Sequence, residues 1–389
     1  MSLDLLHRTD WILMGVLGSL FLIQFYWYIR YMAAPARRIR KDKKNKVQRA
    51  EVNVPGVSVI LCAHNESENL SNYLQSLLTQ DYPTYEVIVV DDGSEDDTRA
   101  VVERYMAFDS RLHLTFVPYG ARVGSTKKLA LTLAAKAAQY DYLLLTDADC
   151  VPESNQWIRE MTKGFQPGTD IVLGFGPYFA DKGHINRLVR FDTLFNGLHY
   201  LGSAICKHPY MGVGRNLAYR KSLFFESGGF THMMTNKSGD DDLFVNHVAT
   251  KRNTTVAVDP KAYTWSLTKR AFKEWWQQKR RHVSVSPSYR TATKFRLTLE
   301  PLTRGMFYLA VLGMIMYQLF IVHCPLSIPL LTAVGLFLLR WWIQTAVINS
   351  SARRMGLKRF NMFSILWFDI TLPLVNLWML LVPRKYKWK

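Results

Sequence analysis

Acidic residues stand at the ends of apolar runs in this chain, at spacings that could do chemistry. In YDYLLLTDAD, Asp147 and Asp149 flank Ala148. Two carboxylates so spaced at a strand end can grip a divalent cation, or can close the strand as an Asx turn. Asp91 and Asp92 end YEVIVVDD ahead of Gly93-Ser94, either as ligand-binding carboxylates or as a plain turn. Ala63, His64, Asn65 and Glu66 end the run that begins at Val57. SGDDDLF gathers Asp240, Asp241 and Asp242, carboxylates that can accept a proton or sit at a helix N-terminus favoured by its dipole. Cations accompany them: Lys127 and Lys128 in TKKLAL, where a solvated helix start is the plainer reading, and Arg215 between Gly214 and Asn216 in the glycine-rich GVGRNLAYR. Gln278, Arg281 and His282 lie in EWWQQKRRH, an amphipathic basic stretch suited to lipid headgroups.

These residues need elements to position them. VSVILCA, YEVIVVDD and YDYLLLTDAD read as short strands, and ESENLSNYLQSLLTQ, SEDDTRAVVERYMAF and TKKLALTLAAKAAQ read as the helices between them. Strands buried on both faces and alternating with helices make βαβ units and a parallel sheet. Ligands in such sheets bind beyond the carboxyl ends of the strands, which is where His64-Asn65-Glu66, Asp91-Asp92 and Asp147-Ala148-Asp149 fall.

The rest of the chain points to a membrane. Its 389 residues exclude a small stapled module, and 49% hydrophobic residues exclude disorder. A mean hydropathy of −0.05 excludes a chain that is membrane throughout. Four scattered cysteines suggest neither a disulfide framework nor a zinc site, so a reducing compartment is expected. Trp11 to Ile29 carries no charge and is long enough to span a bilayer; its length and non-basic lead argue against a cleaved signal peptide. RRIRKDKKNK follows, and by the positive-inside rule it places the chain after residue 35 in the cytoplasm. With a span beside it, this run of the +18 excess charge reads as a lipid-facing feature and not as a nucleic-acid arm. Two further spans are expected at Gly305–His323 and Leu326–Ile348. Asn361–Val382 contains Asp369, Pro373 and Asn376, and a full crossing would put the basic tail outside. A re-entrant or interfacial hairpin bent at Pro373 is therefore favoured over a third span. Arg340 and Asp369 fall at similar depths, so they are expected either to pair or to snorkel separately.

The motifs together resemble family 2 glycosyltransferases of the GT-A fold, in the membrane-embedded branch of hyaluronan, cellulose and poly-N-acetylglucosamine synthases. The resemblance covers roughly residues 55–290, with five motifs in family order. It implies an α/β domain with a mostly parallel sheet at 55–265, between a transmembrane helix at 1–35 with a basic linker at 36–54 and amphipathic interface helices at 266–302 leading to membrane segments at 303–389. It implies that Ala63, Asn65, Glu66, Asp91, Asp92, Lys127, Asp147, Gln278 and Arg281 face a nucleotide-sugar donor. By the same likeness Asp147 and Asp149 hold Mg²⁺ or Mn²⁺, Asp241 or its rival Asp240 is the base, and Gly214, Asn216 and His282 face the acceptor. Thr126 replaces the family's glycine before Lys127, and His282 replaces the tryptophan of processive synthases, which puts long elongation in doubt. The implied activity is inverting transfer from a UDP-sugar to a polysaccharide or lipid-linked acceptor, at the cytoplasmic face of the plasma (inner) membrane. The other function weighed is a non-catalytic, nucleotide-binding membrane scaffold that keeps the fold.

Overall fold

A computed structural model describes residues 8–45, 54–118, 120, 125–234, 236, 238–268, 271–323 and 327–382. The basic tail after 382, Lys46 and Cys324 lie outside these. Three apolar runs become the strands expected: β1 (Val57–Ala63), β2 (Tyr85–Asp91) and, beyond β3 (Leu112–Phe116), β4 (Tyr142–Asp147). All four are parallel, with β1 between β2 and β4. The register sets Cys62 opposite Asp147 and Ala63 opposite Asp91, so the polar strand ends finish level with one another. From β1 the chain winds outward through β2 and β3, then returns to β1's other side as β4, which opens the crevice where α/β sheets bind ligands.

Three shorter strands extend the sheet. After β5 (Cys150–Pro152) come β6 (Ile171–Leu173), β7 (Leu217–Arg220) and β8 (Thr254–Val256), giving the order β3-β2-β1-β4-β7-β6-β8 with β7 antiparallel to its neighbours. β9 (Thr264–Ser266) pairs with β5 in a separate two-stranded ribbon.

The helices run in chain order from α1 (Arg8–Trp27) and α2 (Ala34–Asn45), joined by a π-helical turn at Tyr28–Met32, to α3 (Ser67–Leu78), α4 (Thr98–Met106) and α5 (Thr126–Ala137). Those last three pack between the parallel strands as expected. Then follow α6 (Trp157–Thr162), the long α7 (His184–Ile205), α8 (Lys221–Glu226), α9 (Asp242–Val248) and α10 (Phe272–Val283). The chain ends in α11 (Thr291–Phe320), α12 (Ile328–Arg354) and α13 (Met362–Leu381). α11 runs unbroken through residue 302, so no joint separates interface from membrane segment there.

Four helices are long and apolar enough to cross a membrane: Arg8–Lys44, Thr291–Phe320, Ile328–Arg354 and Met362–Leu381. The last corrects the hairpin expectation, because α13 is continuous through Pro373. Proline removes the N–H that would bond the Asp369 carbonyl one turn earlier. Arg304 Nη1 supplies the missing donor, reaching that carbonyl at 3.3 Å and the Asp369 carboxylate at 2.6 Å. Arg340 donates to the same carboxylate and to Gln24, Tyr308 donates to it at 2.5 Å, and Glu300 accepts from Arg304, so two arginines and two acids neutralise one another between α1, α11, α12 and α13.

α7 links this bundle to the sheet. Its Gly202 lies against the π turn so closely that a Cβ would collide with the Tyr31 carbonyl, and Trp27 donates to His199 at 3.2 Å.

Candidate active site

The strand ends and three loops converge on one cleft. Lys127, in the first turn of α5, spans it: its ammonium lies 3.2 Å from Asp147 Oδ1 at the end of β4 and 3.4 Å from Asp240 Oδ2 ahead of α9. Its pKa is raised by Asp147 first and Asp240 next. Walling by protein pushes the Asp147 carboxyl up, but Lys127, then Arg215 and Arg281, outweigh this and hold it below the ordinary value. The Lys127 and Asp147 side chains remain 43% and 39% exposed, as befits a cleft open to water. Charge is thus set out for a ligand to rearrange.

The adjacent lysine does something else. Lys128 is fully buried and donates to the carbonyls of Met233, Asn236 and Ser238 at 2.7, 2.5 and 3.0 Å. It fastens the loop that delivers the acidic triplet, and burial lowers its pKa.

Within that triplet the three carboxylates differ. Asp241 Oδ2 accepts from the Gly214 amide at 2.6 Å and Oδ1 from the Asp242 amide at 2.8 Å. Burial first, and the Asp240 charge second, push its pKa up to about 6 against the pull of Lys127 and these amides. Asp242, the first residue of α9, is buried beside Tyr289, and its pKa is raised, by burial first and by Asp241 next. Asp240 takes the salt bridge to Lys127.

Asp147, Asp149 and Cys150 bring one ligand atom each within 4.8 Å of one another. The donor set fits a hard divalent cation through its carboxylates. The Cys150 thiol is buried, hydrogen-bonded to Ser266 Oγ at 2.9 Å, and raised in pKa by that burial.

The other residues expected on the donor side lie at the neighbouring strand ends. Asp91 Oδ1 accepts from the Ser94 amide at 2.9 Å, the Asx turn its position allowed, while Asp92 is raised by burial against a bond from Thr126. His64 contacts the Asp92 carbonyl at 2.8 Å. Asn65, at φ 56, accepts from the Glu95 amide at 2.8 Å, and Glu66 accepts from Asn69 at 2.5 Å. Ala63 contributes its carbonyl to Asp92 N at 2.8 Å.

One expected contact is not placed as the resemblance implied. Asn216 is fully buried: its amide donates to the Phe175 and Ala262 carbonyls at 2.8 and 2.7 Å and its oxygen accepts from Trp157 at 3.1 Å. Its side chain braces the core below the cleft and is not open to an acceptor. Gln278 gives its amide to the Tyr178 hydroxyl at 3.0 Å. Tyr178 went unnoticed in sequence because GFGPYFA follows no strand or helix period. Its ring carries Arg215, whose guanidinium carbon lies 4.3 Å from the ring centroid.

α10 forms one wall of the cleft. Lys279 reaches Asp192 of α7 at 2.7 and 2.9 Å, Arg280 donates to the Val382 carbonyl after α13 at 2.8 Å, and His282 is exposed.

Residues 58–232 match the family described as Glycosyl transferase family 2. A poly-beta-1,6-N-acetyl-D-glucosamine synthase of Staphylococcus epidermidis is 33% identical over 136 residues, which are 35% of this chain and 29% of that protein. Chondroitin synthase of Escherichia coli is 24% identical over 240 residues, 53% of this chain and 34% of that one. The chain thus spans about a third or less of the length of these relatives. A mannosyltransferase from Pyrobaculum calidifontis, solved with GDP-Man and Mn²⁺, shares the GT-A fold at a TM-score of 0.53 and 18% identity, covering 92% of this chain and 99% of its own.

Proposed function

With a family 2 glycosyltransferase domain present in this chain, we propose that it transfers a sugar, with inversion, from a UDP-sugar to a growing polysaccharide or lipid-linked sugar at the cytoplasmic face of the plasma membrane. The observation that carries this reading is Asp241: a carboxylate fixed by two backbone amides, with a pKa of about 6, standing beside the Lys127 bridge to the acidic strand end of β4. Binding of a divalent metal to Asp147 and Asp149 would supply charge for the leaving diphosphate; the names of the mannosyltransferase complex and of the synthases support such a metal and a polysaccharide product.

The chain's own groups do the rest. Asp91, Asp92 and the α5 start cradle the nucleoside, and Lys127 leaves its carboxylates to meet phosphate. Arg281 carries diphosphate charge. Asp241 takes the acceptor hydroxyl proton as the oxygen attacks the anomeric carbon and the bond to the diphosphate breaks, giving one inversion. His282 faces the acceptor side with a smaller ring than tryptophan.

Membranes expressing the chain, supplied with a panel of nucleotide sugars, should release nucleoside diphosphate and form a new glycoside, and Asp241→Asn membranes should not. Nucleotide binding with no turnover on any donor would favour the scaffold reading.

A further inference from the structure

Arginines in this protein are commonly matched to carboxylates. Arg111 holds Asp109 at 2.6 Å, Arg220 lies 3.3 Å from both Asp141 and Asp170, and Arg304 and Arg340 share Asp369. Among the described residues Arg215 makes no such ion pair, although it stands in a cleft rich in acids. Its side chain is nonetheless held in place. The Tyr178 ring lies beneath the guanidinium, and Gln278 anchors the Tyr178 hydroxyl from α10. Gly176 leaves room, since a Cβ there would stand 2.7 Å from Arg215 Cδ and Nε. The backbone is fixed on both sides: Thr264 donates to the Arg215 carbonyl at 2.7 Å, and the preceding amide of Gly214 bonds Asp241. Fixing a long cationic side chain costs rotamer entropy, which an arriving anion would then not have to supply.

We propose that Arg215 clamps the terminal phosphate of the nucleoside diphosphate, and that Gln278 acts through Tyr178 as a positioning residue for this clamp without touching the donor. The inference rests on the glycosyltransferase reading. In that reaction the glycosidic electron pair passes to an oxygen of the terminal phosphate while the acceptor proton passes to Asp241, so the new negative charge develops on the group that Arg215 would hold. A guanidinium stacked on a ring and offering a planar fork suits a phosphate better than a lysine would. The same chemistry could come from the phosphate of a lipid-linked acceptor, and the test separates the two.

The test is binding of UDP and UMP, each with Mn²⁺, to the full-length chain in detergent. Arg215→Ala should weaken UDP roughly 10- to 100-fold, the loss of a charged hydrogen-bonded contact, and leave UMP within about twofold. Arg215→Lys should recover only part. Tyr178→Phe and Gln278→Leu should each weaken UDP several-fold, and the double variant should be no worse than either single one, because the two act as a unit. Unchanged UDP binding in Arg215→Ala overturns the clamp, and if such a variant instead loses affinity for the lipid acceptor, the acceptor phosphate is its ligand. Equal loss of UDP and UMP also overturns it, as a general distortion. Additive Tyr178 and Gln278 effects overturn the positioning role. Wild-type chain binding neither UDP nor GDP would remove the donor reading itself, and the clamp with it.

Discussion

The Arg340 guanidinium meets Asp369 Oδ2 through both terminal nitrogens, each at 3.1 Å, joining α12 to α13 inside the helical bundle. The other carboxylate oxygen, Oδ1, is taken by Arg304 at 2.6 Å. One acid therefore serves two cations, and the two ends of the pair are unequal. Asp369→Asn leaves Arg340 with no acid partner and Arg304 with Glu300 alone, and should cost about 3–5 kcal/mol, the range for breaking a buried pair. Arg340→Gln leaves Asp369 with Arg304 and should cost distinctly less. Thermal unfolding of the detergent-purified chain would check the order, and equal or reversed losses would contradict the shared-acid arrangement. A plain charge swap of the two is not expected to rescue, since it sets a new arginine against Arg304.

Asp241 should govern the acid limb of activity. A base must be ionised, so with a pKa near 6 the rate should fall as pH drops through 6, by about tenfold per unit once well below it, and level off above. Asp240→Asn removes the second upward influence on Asp241 and should move that limb to lower pH while activity survives. Asp241→Asn should bind nucleotide and fail to transfer at any pH. A dead Asp240→Asn beside an active Asp241→Asn would exchange their roles.

The two adjacent lysines should separate cleanly. Lys128→Met leaves three backbone carbonyls without their donor and should lower stability by roughly 2–3 kcal/mol. Lys127→Met, in the open cleft, should fold normally and lose donor affinity by about an order of magnitude or more. Unfolding curves and nucleotide titrations on both variants would show whether the effects divide this way.

Asp149→Asn should lose metal-dependent nucleotide binding as well as turnover, and chelation of the wild type should mimic it. Titration of UDP with and without Mn²⁺ reads this directly. A variant that still gains affinity from Mn²⁺ would put the cation elsewhere.

His282 should keep products short. A histidine at this exposed position offers an acceptor ring less stacking area than tryptophan. Size analysis of products from purified enzyme should show short chains or single additions that lengthen in His282→Trp; long polymer from the wild type would refute it.

Much of this architecture was legible because strong local signals coincided with what the tertiary fold required. The runs ending at Ala63, Asp91 and Asp147 are apolar on both faces and lead directly into polar residues, acids in the last two, so strand, layer and ligand end could be read together. Helical rise put Arg340 and Asp369 at similar depths but left pairing and separate snorkelling open, and the structure pairs them. What escaped notice depended on contacts distant in sequence. Asn216 looks like a site residue in a glycine-rich loop, yet three core partners, Phe175 after β6, Trp157 of α6 and Ala262, consume it. Glu300 and Arg304 precede an uncharged run and gave no sign that they would complete a charge cluster with α13. Pro373 reads locally as a break, and only Arg304's bond to the freed carbonyl shows why the helix continues. Tyr178, which orients Arg215, sits where neither period applies.

Three consecutive residues of α10 are tied to three different places: Gln278 to Tyr178 beside the sheet, Lys279 to Asp192 in α7, and Arg280 to the carbonyl of Val382 beyond α13. A fragment ended before Phe272 would keep the whole seven-stranded sheet and still lack one side of its cleft. A fragment ended after Val283 would retain α10 but leave Arg280 without its anchor. For this chain, then, the smallest piece worth purifying for kinetics is set by the last of the long apolar helices and not by the edge of the seven-stranded sheet, and lipid or detergent conditions that disturb the end of α13 should be felt as changes in affinity at the cleft.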